Sequence, residues 1–237
     1  MYRKTSFMLG IILAIAGCSG KTVEQMYAEG VQQLQKANPG GAIVLLTNAL
    51  EKDQNHFDAR YQLAKAYAAA RKPEQAEKEF QKMLRQNPSR EGVKLELAKI
   101  HSSVKKPDLA IQEAGEYLNT HPGSAEALEI LGAAHFAANN PGEAERCLLQ
   151  VLKREPSRIS AKLELAGVYR AQKKIREARE ILSEVIAQDP INSLAYYKLA
   201  SLEASEGNRD KSLDIYRKIA KINPSDAMAR HKTGLLE

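Results

Sequence analysis

The chain has 237 residues, with 35 Lys and Arg against 29 Asp and Glu, a formal net charge of +6. Apolar residues make up 43%, aromatics 5%, and Trp is absent. These values fit a soluble, helix-rich protein and exclude collagen-like, disulfide-framework, multi-span membrane and disordered chains. The basic excess is mild and dispersed, so no nucleic-acid partner is expected.

The first segment reads as an address. Arg3 and Lys4 precede an apolar run, FMLGIILAIA, from Phe7 to Ala16. That run is too short for a stable bilayer-spanning helix. A basic start, a short apolar stretch and small residues are the pattern of a secretory signal. The run closes on Ile15-Ala16-Gly17-Cys18. This resembles the bacterial lipobox, in which the cysteine is acylated and becomes the first mature residue. The resemblance implies residues 1–17 as signal peptide, a covalent lipid on Cys18, and residues 18–22 as anchor and tether. Several acyl chains hold a protein on a membrane where one would be marginal. Loss of Arg3 and Lys4 leaves a mature charge of about +4. Ser19 rather than Asp follows the cysteine, which in enteric bacteria implies sorting to the outer membrane. The expected location is the periplasmic side of a Gram-negative envelope. Cys147 sits in an amphipathic segment and is expected to pack as a small apolar residue rather than react.

From residue 23 a ruler of 34 residues takes over. Pro88, Pro122, Pro156, Pro190 and Pro224 recur at that interval, with Gln54 one period earlier. With Phe57 and its equivalents as position 1, these prolines occupy position 32. Position 8 is Gly30, Ala64, Ala98, Gly132, Ala166, Ala200 and Gly234, all small. Position 20 is Ala42, Ala76, Ala110, Ala144, Ala178 and Ser212, again all small. Position 7 is Leu63, Leu97, Leu131, Leu165 and Leu199.

Each unit is expected to hold two helices. The first runs from about position 1 to 14, and the position-32 proline stops its predecessor. Ser89, Ser124, Ser157 and Ser225 are candidate N-caps. Pro39, Pro73, Pro107 and Pro141 at position 17 suit the first turn of the second helix. Small residues at positions 8 and 20 let the helices approach, with apolar side chains such as Phe80, Leu84, Leu148, Leu152, Leu182 and Ile186 filling around them. One such pair cannot bury enough surface alone, so neighbours must stack.

These columns resemble the tetratricopeptide repeat (TPR). The resemblance implies an all-α fold, a right-handed solenoid of antiparallel helix pairs. Six units cover residues 23–226, and residues 227–237 are the first helix of a seventh unit or a cap. The Trp common at position 4 of the family is replaced by Arg60, Lys94 and Lys162, and position 11 is Tyr only at Tyr67 and Tyr169.

In this family the first helices line a concave groove for a protein or peptide. The matching positions here are Tyr27, Tyr61, Lys65, Leu95, Lys99, Glu129, Phe136, Leu163, Arg170 and Tyr197. Packing against the adjacent unit is the alternative role for each. The subfamily that clamps a C-terminal carboxylate uses Asn at set positions. Position 9 here is Val31, Lys65, Lys99, Ala133, Gly167 and Ser201, so that clamp is not expected. His101 and His135 share position 11 and are read as packing residues in place of Tyr. No catalytic residue, metal ligand set or cofactor is expected apart from the lipid.

The stretch YAEGVQQLQKANPGGAIVLLTNALEKDQNHFDARYQLAKAY looks like the N-terminal part of the TPR lipoproteins of the PEP-CTERM/exosortase system. That resemblance implies a non-catalytic, membrane-anchored adaptor in exopolysaccharide export or protein sorting. Two alternatives stay open: a type IV pilus assembly lipoprotein of the secretin-pilotin kind, and an accessory subunit of an enzyme acting on polysaccharide or peptidoglycan. The sequence leaves self-association open.

Overall fold

The computed structural model describes residues 20–88 and 90–236. Cys18, and with it the signal and lipidation site, lies outside the described residues, as does Ser89. Among the described residues there are thirteen α-helices and no strand. The described chain forms two compact units that meet in sequence between Glu79 and Phe80.

The ruler sets every boundary. The first helices are α1 (Val23–Gln35), α3 (Phe57–Ala69), α5 (Glu91–Ser103), α7 (Ala125–Ala137), α9 (Ile159–Ala171), α11 (Ser193–Ser205) and α13 (Ala227–Leu236). All begin at position 1, and all but α13 have 13 residues. The second helices are α2 (Pro39–Lys52), α4 (Pro73–Gln86), α6 (Pro107–Thr120), α8 (Pro141–Arg154), α10 (Ile175–Gln188) and α12 (Arg209–Ile222). All begin at position 17 with 14 residues, and proline opens four of them.

The turn between the two helices of a unit is a repeated backbone device. Position 15 is left-handed in every unit: Ala37, Arg71, Lys105, Asn139 and Lys173 have φ between 53° and 62°, and Gly207 has φ 79°. The next amide then reaches back to the position-11 carbonyl, as in Asn140 N–H to His135 O at 2.8 Å and Lys174 N–H to Tyr169 O at 2.9 Å. This is the Schellman ending of a helix.

The N-caps correct one expectation. Ser124 caps α7, its hydroxyl accepting from Ala127 N–H at 3.2 Å. Ser157 and Ser225 fall one residue early. The caps are Arg158, which makes no side-chain cap bond, and Asp226, whose carboxylate accepts from Ala229 N–H at 2.9 Å. The fixed helix start at position 1 puts the cap at position 34, one residue beyond these serines.

The small-residue columns form the contact between paired helices. Ala42, Ala76, Ala110, Ala144, Ala178 and Ser212 are fully buried. A Cβ added at Gly30 would meet Leu46 Cγ at 2.7 Å, and one at Gly132 would meet Leu148 Cγ at 3.1 Å. Ser212 keeps its hydroxyl satisfied by donating to Ala200 O at 2.9 Å. Leu148, Val151, Leu165, Val168, Leu182 and Val185 fill one continuous core across α8, α9 and α10. Across α1, α2 and α3 Met26, Leu46, Leu50 and Leu63 do the same.

Candidate functional site: the row of first helices

Within each compact unit, first helices pack on their own second helices, as α1 on α2, α5 on α6, α7 on α8, α9 on α10 and α11 on α12. Contacts join α1 to α3 in one compact unit, and α5 to α7, α7 to α9 and α9 to α11 in the other. Second helices also touch the following first helix, as α2 touches α3, α6 touches α7, α8 touches α9, α10 touches α11 and α12 touches α13. Within the second compact unit α5, α7, α9 and α11 therefore form a row, α1 and α3 pair likewise in the first, and the predicted groove residues sit on these first helices.

Position 5 holds successive first helices together. The Tyr27 ring lies 5.1 Å from the His56 ring at the cap of α3. Glu129 pairs with Arg158 at the cap of α9. The Tyr197 hydroxyl donates to Asp226 at 2.7 Å, at the cap of α13. Burial and the Asp226 carboxylate push that hydroxyl up to about 12. Leu95 and Leu163, at the same position, are buried. Contacts with the cap of the following first helix are thus present at Tyr27, Glu129 and Tyr197. Tyr61 is half-buried with the Lys65 ammonium 5.7 Å from its ring centre.

Positions 9 and 12 are more open. Lys65, Phe136 and Arg170 are exposed. Lys99 bridges Glu96 at 3.1 Å and Glu126 of the next unit at 2.8 Å. Burial pulls its pKa down, the two carboxylates more than offset that, and the net direction is up.

Two cavities open along this row. One, of about 170 Å³, lies between α9 and α11 over α10, lined by Gly167, Arg170, Tyr197, Lys198 and Ser201 among others. The other, of about 400 Å³, is lined by Lys99, Glu126, Glu129, Arg158 and Glu164 with the small or apolar residues Ser102, Ser103, Ile130 and Ala133. Glu164 and Lys198 were not among the predicted groove residues. Both stand at position 6, adjacent to the position-5 column, and only the packing of α7, α9 and α11 brings them to the cavities. Burial, with the Glu129 charge, raises Glu164 to about 7. Its Oε2 is buried with no hydrogen-bond partner.

The cations that replace the family Trp at position 4 also have a structural role. Arg60 reaches Glu79 at 2.7 Å, Lys94 reaches Glu116 at 2.7 Å, and Lys162 reaches Glu184 at 2.9 Å. Each ties a first helix to the second helix of its own unit.

His101 is buried with Nδ1 2.7 Å from Glu113 Oε2, inside a helix pair as expected of a packing residue. Cys147 is buried in the α8 core, and burial raises its thiol pKa. Among the described residues, no cluster of three or more His, Cys, Asp or Glu is placed to hold a metal, and no helix is long and apolar enough to cross a membrane.

Known structures share this arrangement. The type IV pilus biogenesis factor PilW superposes with TM-score 0.78 at 14% identity, over 90% of this chain and 99% of its own. PilF of Pseudomonas aeruginosa gives TM-score 0.69 at 20% identity, over 90% and 97%. The APC/C Cut9–Hcn1 hetero-tetramer gives TM-score 0.74 at 15% identity over 91% of this chain, which spans only 43% of that partner. No curated protein matches the sequence. Tetratricopeptide repeat families match residues 33–100 and 169–233, and residues 131–190. With more than half of its length matched and its helix pairs in register, the chain belongs to the tetratricopeptide repeat family.

Proposed function

We propose that this protein is a lipid-anchored, non-catalytic adaptor that recruits a protein partner along its row of first helices. The observation that carries the reading is the open stretch of that row at α9 and α11. There Gly167, Arg170, Lys198 and Ser201 leave a cavity that the fold itself does not fill. Pockets of this kind, with a few polar groups on an apolar wall, suit a side chain of a bound peptide. The lipobox at Cys18 supplies the anchor, and Ser19 directs it toward the outer membrane. The N-terminal resemblance to PEP-CTERM/exosortase lipoproteins points to exopolysaccharide export or protein sorting as the process served.

A second reading, pilus assembly, is favoured by one observation. PilF and PilW match over nearly their whole length, as well as 90% of this chain. The third reading, an accessory subunit of a polysaccharide-acting enzyme, draws no support from the site.

Crosslinking in intact cells, followed by pull-down and mass spectrometry, tests the adaptor. Exopolysaccharide or sorting components among the captured proteins support the first reading, and pilus components the second. Deletion that abolishes twitching while leaving exopolysaccharide normal would exclude the first. Cys18→Ser is expected to release the protein from membranes, and retention in the membrane fraction would remove the anchor.

A further inference from the structure

We infer that the pocket between α9 and α11 holds an acidic side chain of the bound partner between Arg170 and Lys198, and that Glu164 sets how strongly it is held. The inference rests on the protein-binding reading above and adds the chemistry of the contact.

The two cations line the same cavity, and at about 170 Å³ it accommodates a side chain rather than a drug-sized molecule. Neighbouring cations along these helices are neutralised. Arg158 pairs with Glu129 and Glu155, Lys174 with Glu145, and Arg179 with Glu203. Arg170 instead donates to the Ser201 hydroxyl at 3.3 Å. Among the described residues, Lys198 forms no ion pair. Burial and the Arg170 charge both hold its pKa below the usual lysine value. Two like charges placed together with no carboxylate paired to either attract an anion. Gly167 keeps the approach open: a Cβ built there has Lys198 Nζ as its nearest neighbour, at 3.9 Å.

Glu164 lies one turn before Gly167 on α9 and feels the Lys198 charge. Its carboxyl also faces Glu129 of α7 and Arg158 at the cap of α9, and shares a cavity wall with Lys99 of α5 and Glu126 of α7. Burial and Glu129 disfavour its ionised form, while Lys198 and Arg158 favour it. Protonated, Glu164 leaves the Lys198 charge uncompensated, and an incoming carboxylate is held well. Ionised, it compensates Lys198 and repels the carboxylate. With Glu164 titrating at about 7, affinity for an acidic side chain falls as pH rises through neutrality.

The test is fluorescence anisotropy with the full chain and a rhodamine-labelled, C-terminally amidated Gly-Gly-Ser-Glu-Glu-Gly-Ser peptide, beside its Gln-Gln counterpart. The Glu peptide is expected to bind about tenfold more tightly than the Gln peptide at about pH 6, and to lose about fivefold by about pH 8. Arg170→Ala and Lys198→Met are each expected to cost about tenfold at the lower pH. Glu164→Gln is expected to bind the Glu peptide equally at both. Circular dichroism checks that each variant is folded, and Arg170, being exposed, is the safer of the two cation variants.

Equal affinity for the Glu and Gln peptides, or unchanged binding in Arg170→Ala, overturns the site. So does equally tight binding of a peptide whose only carboxylate is its chain terminus. A pH dependence that survives in Glu164→Gln overturns the role of Glu164. Capture of partners from cells without any preference for the Glu peptide removes this pocket chemistry and leaves the adaptor standing. Failure of the wild-type chain to capture any partner removes the adaptor itself.

Discussion

The units around α7–α10 and the unit of α11–α12 follow one plan and fill it differently. In the former, Ala144 and Ala178 sit under Leu148 and Leu182, with Val151, Leu165, Val168 and Val185 completing an apolar core. In the latter, position 20 is Ser212, position 24 is Tyr216, and position 11 is the buried Glu203. Glu203 accepts from Arg179 at 2.5 Å and from Asn208 at 2.7 Å. Ser212 and Tyr197 likewise satisfy their hydroxyls through Ala200 O and Asp226. The backbone register tolerates either filling because Glu203, Ser212 and Tyr197 each have a hydrogen-bond partner. The two regions should therefore fail under different perturbations.

The largest effect is expected in the apolar region. Ala144→Trp drives an indole into a fully closed helix contact and is expected to cost about 3 kcal/mol or more, read as a lowered midpoint in a circular-dichroism melt. Unchanged stability would contradict the helix-pair register.

The polar region is expected to respond to acid. Arg179, offset in part by burial, holds Glu203 below the usual carboxylate value, with help from Asn208. Its folded pKa is depressed, so its stabilisation is present above the unfolded value of 4.5 and is lost as pH falls through the folded value. Glu203→Gln is expected to cost about 2 kcal/mol at neutral pH and to flatten the acid limb of the stability profile. Glu164 has the opposite sign. Its folded value of about 7 lies above the unfolded 4.5, so it destabilises progressively as pH rises between those two values. Glu164→Gln is expected to add on the order of 2 kcal/mol at about pH 8, after allowance for partial solvent screening, and nothing at about pH 4.

Smaller effects test one column in two settings. Gly30→Ala brings a Cβ to 2.7 Å from Leu46 Cγ and is expected to cost about 1–2 kcal/mol. Gly234, in the same column, has open space around it, and Gly234→Ala is expected to be neutral or to stabilise by up to about 1 kcal/mol. The left-handed turn gives the smallest pair. Lys173→Gly is expected to stabilise, and Gly207→Ala to destabilise, each by about 1 kcal/mol in chemical denaturation.

Much of this architecture was legible in the residues. The Pro and small-residue columns placed the helix pairs and their closest contact, because both reflect local constraints that repeat with the chain. The caps fall at Arg158 and Asp226 because the helices start at position 1, although the neighbouring Ser157 and Ser225 also carry capping side chains. The candidate groove was only partly legible. Position arithmetic named Arg170 and Tyr197, which do line the α9–α11 cavity, but it equally named Leu95 and Leu163, which are buried. It omitted Lys198 and Glu164, since position 6 carries no marker in the pattern.

The sequence by itself therefore determined the repeat length, the all-α class, the helix boundaries and the two closing columns. These follow from backbone chemistry and side-chain volume, which act over a few residues. Tertiary structure decided which charges are neutralised and which are left facing an open cavity. Lys174 finds Glu145 29 positions away, while Lys198 meets Arg170 and Glu164 without pairing to either. Such partnerships depend on how successive helix pairs lie against one another, and a charge in a list of residues carries no record of its neighbours in space.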